Sequence, residues 1–266
     1  MSRPPQKRAR PPAATPSSSI TAQFANLFEA FDAIGKEMRD YDEKRETVRL
    51  DLDRRAHPLP PSDSLSLMLR ASLVRQVIKK SRDVQKQSKQ AIFSVHRGDI
   101  DQAKNRLESA MKVHAELESL IQETPGLRHG SFSNAMEEYA EARIFLHFHE
   151  TKSLLVPADL PQTNTDEYLG GLLDFTGELN RWAVIQATSR QVDDVKYARD
   201  CVDAVLSVMM ELDLRNGQVR KKYDSLKYCL KNLEKVLYEL SLGQDIGLNM
   251  NAEKAGEAIK EPNDDE

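Results

Sequence analysis

Ala135-Met-Glu-Glu-Tyr-Ala-Glu-Ala-Arg-Ile-Phe-Leu-His-Phe148 is the stretch from which the fold of this chain is read. No glycine or proline interrupts it, and Ala, Met, Glu, Leu and Arg are good helix formers. Glu138 and Glu141 stand three apart, so a helix puts them on one face with Cβ atoms about 5–6 Å apart. A second stretch, Tyr168-Leu-Gly-Gly-Leu-Leu-Asp-Phe-Thr-Gly-Glu-Leu179, sets Asp174 and Glu178 four apart. If the two helices pack face to face, four carboxylates meet in apolar surroundings. Like charges at short range raise one another's pKa, so such a cluster is costly on its own. A bound divalent cation is the usual resolution.

The same helical rhythm extends outward in both directions. Phe24, Leu27, Phe28, Phe31, Ile34, Met38 and Tyr41 predict a first helix from about residue 20 to 55, capped by Ser19 or Thr21 and stopped by His57-Pro-Leu-Pro-Pro61. A second helix is predicted over 65–97, with Leu73, Val77, Val84, Ile92 and Val95 as its buried stripe. Gly98-Asp99 breaks it, and a third runs to about 123. The fourth (132–154) and fifth (166–189) carry the two acidic pairs. A sixth spans 192–214, and a seventh covers 219–242 after the stop at Asn216-Gly217. Nothing alternates with period two over β-branched residues, and no fixed repeat occurs. The expectation is an all-α, seven-helix bundle over residues 19–242.

The ends differ in character. Residues 1–18 hold five prolines, a serine run and Arg3, Lys7, Arg8 and Arg10 without an acid, which predicts a disordered basic tail. Residues 243–266 set seven acids against Lys254 and Lys260, which predicts a flexible acidic tail. The overall charge of −4 hides this asymmetry. No run of about 18 apolar residues exists, so no membrane span is expected, and the N-terminus lacks the apolar core of a secretory signal. Cys201 and Cys229 are read as free thiols.

Several chemistries compete for the acids. The plain reading is a solvated face or ordinary ion pairs, against which stand the apolar neighbours Ala140, Ala142, Ile144 and Phe145 of Glu141, and Leu173 and Phe175 of Asp174. Gly170, Gly171 and Gly177 would let another backbone or a substrate come close. A di-iron bundle needs a Glu-x-x-His motif on each of two helices, and the chain has none. His147 and His149, two apart, point opposite ways on a helix and are read as a packing or surface pair. An all-oxygen donor set favours a hard cation such as Mg²⁺, Mn²⁺ or Ca²⁺. Two basic stretches, Lys79 to Lys89 and Arg220 to Lys231, are either solvated helix faces or a phosphate-binding surface. Carboxylates with a hard metal beside basic surfaces fit phosphodiester hydrolysis.

The two acidic motifs, with Ala91-Ile-Phe-Ser-Val-His-Arg97 and the run Arg220 to Lys235, resemble the translin superfamily in matching order, and within it the translin-associated factor X (TRAX) type. The similarity spans roughly residues 20–242 and departs from the family pattern at 57–64 and at the short 155–166 connection. It implies a seven-helix fold of the translin type. It also implies a hetero-oligomeric, octameric shell built with a translin-type subunit, present in cytoplasm and nucleus, that cleaves single-stranded RNA with Mg²⁺ or Mn²⁺. By the same resemblance Glu138, Glu141, Asp174 and Glu178 are the catalytic and metal-binding set. The alternative is a non-catalytic nucleic-acid-binding or scaffolding subunit whose acids are structural.

Lys7-Arg-Ala-Arg10, framed by prolines, has the composition of a nuclear import signal. A fluorescent protein fused to residues 1–20 should concentrate in the nucleus. An even distribution between nucleus and cytoplasm would leave the segment a merely solubilising tail.

Overall fold

The computed structural model describes residues 24–52, 64–122, 124–214 and 217–257, with side chains described over 24–40, 68–122, 124–214 and 217–242. These residues form seven α-helices and no strand: α1 (Ala25–Leu52), α2 (Ser64–His96), α3 (Ile100–Ile121), α4 (Ser131–Thr151), α5 (Thr165–Thr188), α6 (Val192–Glu211) and α7 (Gln218–Glu257). Short 3-10 turns at Pro125–Arg128 and Pro157–Asp159 sit in the connections. The predicted bundle and its helix order are what is observed. The seventh helix continues past Leu242 to Glu257. Residues 1–18, the prolines at 58–61, the caps Ser19 and Thr21, Asn216 and the end of the chain beyond 257 lie outside the described residues.

Local chemistry sets the helix ends. The Asp99 carboxylate accepts from the Gln102 N–H and starts α3. Asn164 and Glu167 close a reciprocal capping box at the start of α5. Glu167 is fully buried there, and the Arg128 guanidinium donates to it at 2.8 Å. Helix α4 ends on Lys152 in the left-handed conformation (φ 56°), and Arg190 (φ 55°) turns the chain between α5 and α6.

Helices α4 and α5 are the central pair. α2 and α3 pack from one side, α6 and α7 from the other. Pairings along the helices give their directions. Lys89 meets Glu138 and His96 meets Phe145, so α2 runs parallel to α4. Phe148 stacks near Phe175 and Trp182, while Glu137 lies against Gly170, so α4 runs parallel to α5. Lys222 reaches Asp174 and Asn232 reaches Asn180, so α7 follows α5. α3 returns antiparallel, pairing Lys104 with Glu150 and His114 with Phe132. Four roughly parallel helices thus present the same level of the bundle to one another, and the acids lie at that level.

Because it is flanked on three sides, α4 is apolar nearly all round: Phe132, Met136, Ile144, Phe145 and Phe148 are each at most 1% exposed. The stripe predicted on α2 is buried at Val77, Val84, Ile92 and Val95. On α1 and α7, Phe24, Phe31, Leu226 and Leu233 are buried, and Phe28, Leu230, Val236, Leu237 and Leu240 pack partly against the core. Large apolar side chains are exposed at Met68, Leu69, Phe93, Ile185, Tyr228 and Tyr238 among others. Both cysteines are free thiols, Cys201 buried and Cys229 half-buried. No described helix is long and apolar enough to cross a membrane.

The glycines of α5 have unequal work. A Cβ on Gly171 would sit 2.7 Å from the Ala140 Cβ and the Glu137 carbonyl oxygen and 2.8 Å from the Glu141 nitrogen. Backbone cannot step aside, so Gly171 is what lets α5 touch the α4 main chain. A Cβ on Gly177 would meet nothing within 4 Å. Gly171→Ala should therefore destabilise by about 1–3 kcal/mol through overpacking. Gly177→Ala should stabilise by up to about 1 kcal/mol through helix propensity. Urea melts of the two variants read both signs.

Candidate acidic site

The close contact at Gly170 and Gly171 brings the acidic faces of α4 and α5 together. Glu141 is at the centre, 8% exposed, on the buried side of α4. Its carboxyl is pushed up to about 9, first by burial and then by the charges of Glu138, Asp174 and Glu178, with Lys222 pulling the other way. The other three acids named from the sequence therefore all act on Glu141. No hydrogen bond or ion pair engages the Glu141 carboxyl among the described residues.

The other acids each hold a cation or a histidine. Glu138 lies 3.5 Å from the Lys89 Nζ of α2. Burial pushes its carboxyl up, while Lys89 and a hydrogen bond from Gln85 oppose the rise. Asp174 accepts from the Lys222 ammonium of α7, which also donates to Glu137. Burial raises the Glu137 carboxyl against the pull of Lys222. For Lys222 itself burial works downward, but its bonds to Asp174 and Glu137 outweigh that and raise it. Glu178 bonds to the Nε2 of His96 and lies 3.6 Å from Arg181 Nη1. The bond to His96 comes first in lowering the Glu178 carboxyl, against burial, and Arg181 adds to it. The His96 ring is nearly buried, packs on Phe145 at 4.7 Å, and its Nδ1 has no hydrogen-bond partner.

The sequence reading missed four members of this network. Glu137 is adjacent to Glu138, and the small residue at Gly170 that accommodates its side chain was its available signal. His96 lies in the motif Ala91 to Arg97, but nothing in its spacing tied it to Glu178, 82 positions away. Lys89 and Lys222 were read only as parts of basic faces. Glu138, Asp174 and Glu178 draw their partners from α2 and α7, and Glu178 also meets Arg181 three residues on along its own helix. His147 bonds Ser153 at 2.9 Å, in keeping with a surface role.

The donor chemistry of the four carboxylates fits a hard divalent ion. Their present arrangement does not gather them: among the described residues no group of three or more His, Cys, Asp or Glu stands ready to hold a metal. Instead Asp174 and Glu178 are bonded to Lys222 and His96, and Glu138 lies beside Lys89. Holding one at Glu138, Glu141, Asp174 and Glu178 requires the Lys222 ammonium to swing off Asp174.

The translin family model matches residues 73–244. Translin of Homo sapiens is 33% identical over 79 residues, which is 30% of this chain and 35% of that protein, so the chain spans about a third of the translins it matches. The translin-associated protein X homolog of Schizosaccharomyces pombe is 32% identical over 145 residues, 47% of this chain and 62% of that protein. The crystal structure of apo-NeC3PO superimposes with a TM-score of 0.62 at 19% identity, over 70% of this chain and all of that one (100%). The AfC3PO–duplex RNA complex does so at 0.58 and 18%, over 66% and 93%. At these identities the structural likeness is one of fold.

The raised Glu141 carboxyl has a consequence for stability. A carboxyl whose folded pKa is raised destabilises the fold progressively as pH climbs from its unfolded value of 4.5 toward about 9. In chelator, Glu141→Gln should remove this loss. The gain should be negligible near pH 4 and up to roughly 3 kcal/mol near pH 7. Urea melts across that range test it; parallel stability curves for parent and variant would show that Glu141 titrates normally.

Proposed function

The chain belongs to the translin family, with translin-associated protein X among its relatives, and on that premise we propose that it is the catalytic subunit of a translin–TRAX-type complex, a metal-dependent endoribonuclease for single-stranded RNA. The supporting observation is Glu141: a buried carboxyl with no ion pair of its own, facing Glu138, Asp174 and Glu178. A fold seldom keeps such a group without a use for it, because its charged form is so costly there. The partner is a translin-type subunit, in an octameric shell found in cytoplasm and nucleus.

Glu138, Glu141, Asp174 and Glu178 would hold Mg²⁺, or Mn²⁺ in its place. The ion, when bound, supplies a water of lowered pKa and positive charge for the leaving oxygen of the phosphodiester. The chain's own residues do the rest. A carboxylate of the set is placed to take a proton from the attacking water. Lys222, released from Asp174, carries a mobile positive charge that can meet a phosphate oxygen. His96 fixes the Glu178 carboxylate so that one acid of the set keeps its orientation, and Phe145 beneath the imidazole limits its movement. The buried α4–α5 contact excludes bulk water from one side of the cluster.

One observation favours a second reading. Glu137, Glu138, Asp174 and Glu178 already have partners, as a purely structural network in a nucleic-acid-binding or scaffolding subunit would. The experiment is cleavage of a labelled single-stranded RNA by the complex reconstituted with a translin-type subunit, with Mg²⁺ and with chelator. Asp174→Asn and Glu141→Gln should each reduce the rate by about a hundredfold or more without lowering the melting temperature. Cleavage at the parent rate by both variants would leave the scaffold reading.

A further inference from the structure

The exposed face of α2 carries a feature that the acidic site does not use. Arg75, Lys79, Arg82, Lys86, Phe93 and Arg97 follow one another at intervals of three, four or seven and are all exposed. Lys89 completes the interval between Lys86 and Phe93, its side chain 61% exposed. On a helix this spacing makes a single straight row, about 27 Å long from Arg75 to Phe93 at 1.5 Å per residue, with Arg97 in the turn just past the helix end. Helix α2 holds seven cations against the single acid Asp83, in a chain whose overall charge is −4. Among the described residues Arg75, Lys79, Arg82, Lys86 and Arg97 form no ion pair. Charge is therefore segregated onto this face and left uncompensated.

Phe93 stands within the row. Its ring is 53% exposed, outside the apolar core, and the Arg97 guanidinium lies 5.5 Å from its centroid. A phenyl ring held between cations is poorly placed for an ordinary solvated surface. It suits a polyanion that also has flat apolar faces, because bases stack on aromatics while phosphates meet the flanking charges. The row leads to the acidic site: Lys89 contacts Glu138, and His96, next to Arg97, bonds Glu178.

We propose that this face of α2 is a track for single-stranded RNA, with Lys79, Arg82 and Lys86 holding the phosphates and Phe93 stacking a base as the strand enters the acidic cluster. The track rests on the nuclease reading for its destination, but binding along it requires no cleavage. An acidic protein would value the cations and have no use for the ring as a stacking platform.

The test uses the full chain, with its partner subunit where the two co-purify, in chelator so that nothing is cut. A short fluorescent single-stranded RNA is titrated by anisotropy over a range of salt, and a thiouridine-substituted version is photo-crosslinked and mapped. Phe93→Ala should weaken binding about tenfold with an unchanged salt slope, and the parent should crosslink at the peptide holding Phe93. The double change Lys79→Ala and Lys86→Ala should reduce the slope of log K against log salt by about 1.4. Parent affinity and slope in both variants, with crosslinks elsewhere, would overturn the track. So would a polyglutamate peptide that binds with the same dependence on Phe93, which would make the occupant an acidic protein. Cleavage separates the two readings. A complex that cuts RNA while both variants bind as the parent does keeps the nuclease and loses the track. One that never cuts but loses binding as described keeps the track and loses the nuclease.

Discussion

Helices α4 and α5 touch main chain to main chain at Gly171, and the acidic site depends on that contact. Any side chain there would collide with the Glu137 carbonyl and the Glu141 nitrogen, forcing the helices apart and admitting water between them. Because they meet so closely, Glu141 is buried while still within electrostatic reach of three other carboxylates. The parallel course of α2, α4, α5 and α7 then lets Lys89, His96 and Lys222 arrive at the same level from separate helices.

The resulting network is unevenly balanced. Glu138, Asp174 and Glu178 each have a specific partner, and Glu137 shares Lys222 with Asp174. Glu141 is left as the uncompensated member. In a structural ion-pair network the most buried acid would be expected to hold the best partner, since an unpaired buried charge is the most expensive kind. Here the order is reversed. A protonated Glu141 is the natural resting state, and a cation replacing that proton would draw binding energy from relieving repulsion among four acids. Lys222 holds part of that positive charge in the meantime.

Much of this was legible in the sequence because it follows helical periodicity. The seven helices, the buried stripe on α2 and the shared faces of Glu138 with Glu141 and of Asp174 with Glu178 are all consequences of 3.6 residues per turn. Gly170 and Gly171 signalled a close approach, and one occurs. What periodicity does not carry is the identity of neighbours from distant helices. Lys222 is 48 positions from Asp174 and His96 is 82 from Glu178, and a basic residue in a basic run looks the same whether it points to solvent or to an acid. Whether a stripe is covered likewise depends on what packs on it, for the aromatics of α1 the core formed with α6 and its neighbours. Helix α7 outlasts its apolar stripe because Ala252, Glu253, Lys254 and Ala255 favour helix without needing a core.

The central claim is that Glu141 is a buried acid whose proton stands where a cation belongs. The most direct measurement is the titration of the Glu141 side-chain carboxyl by carbon-13 NMR in selectively labelled protein, first in chelator and then with saturating Mg²⁺. The account predicts a midpoint near the value of about 9 without metal and ionisation of the same carboxyl at neutral pH once Mg²⁺ is added. A midpoint in the ordinary carboxylate range, unmoved by Mg²⁺, would contradict it.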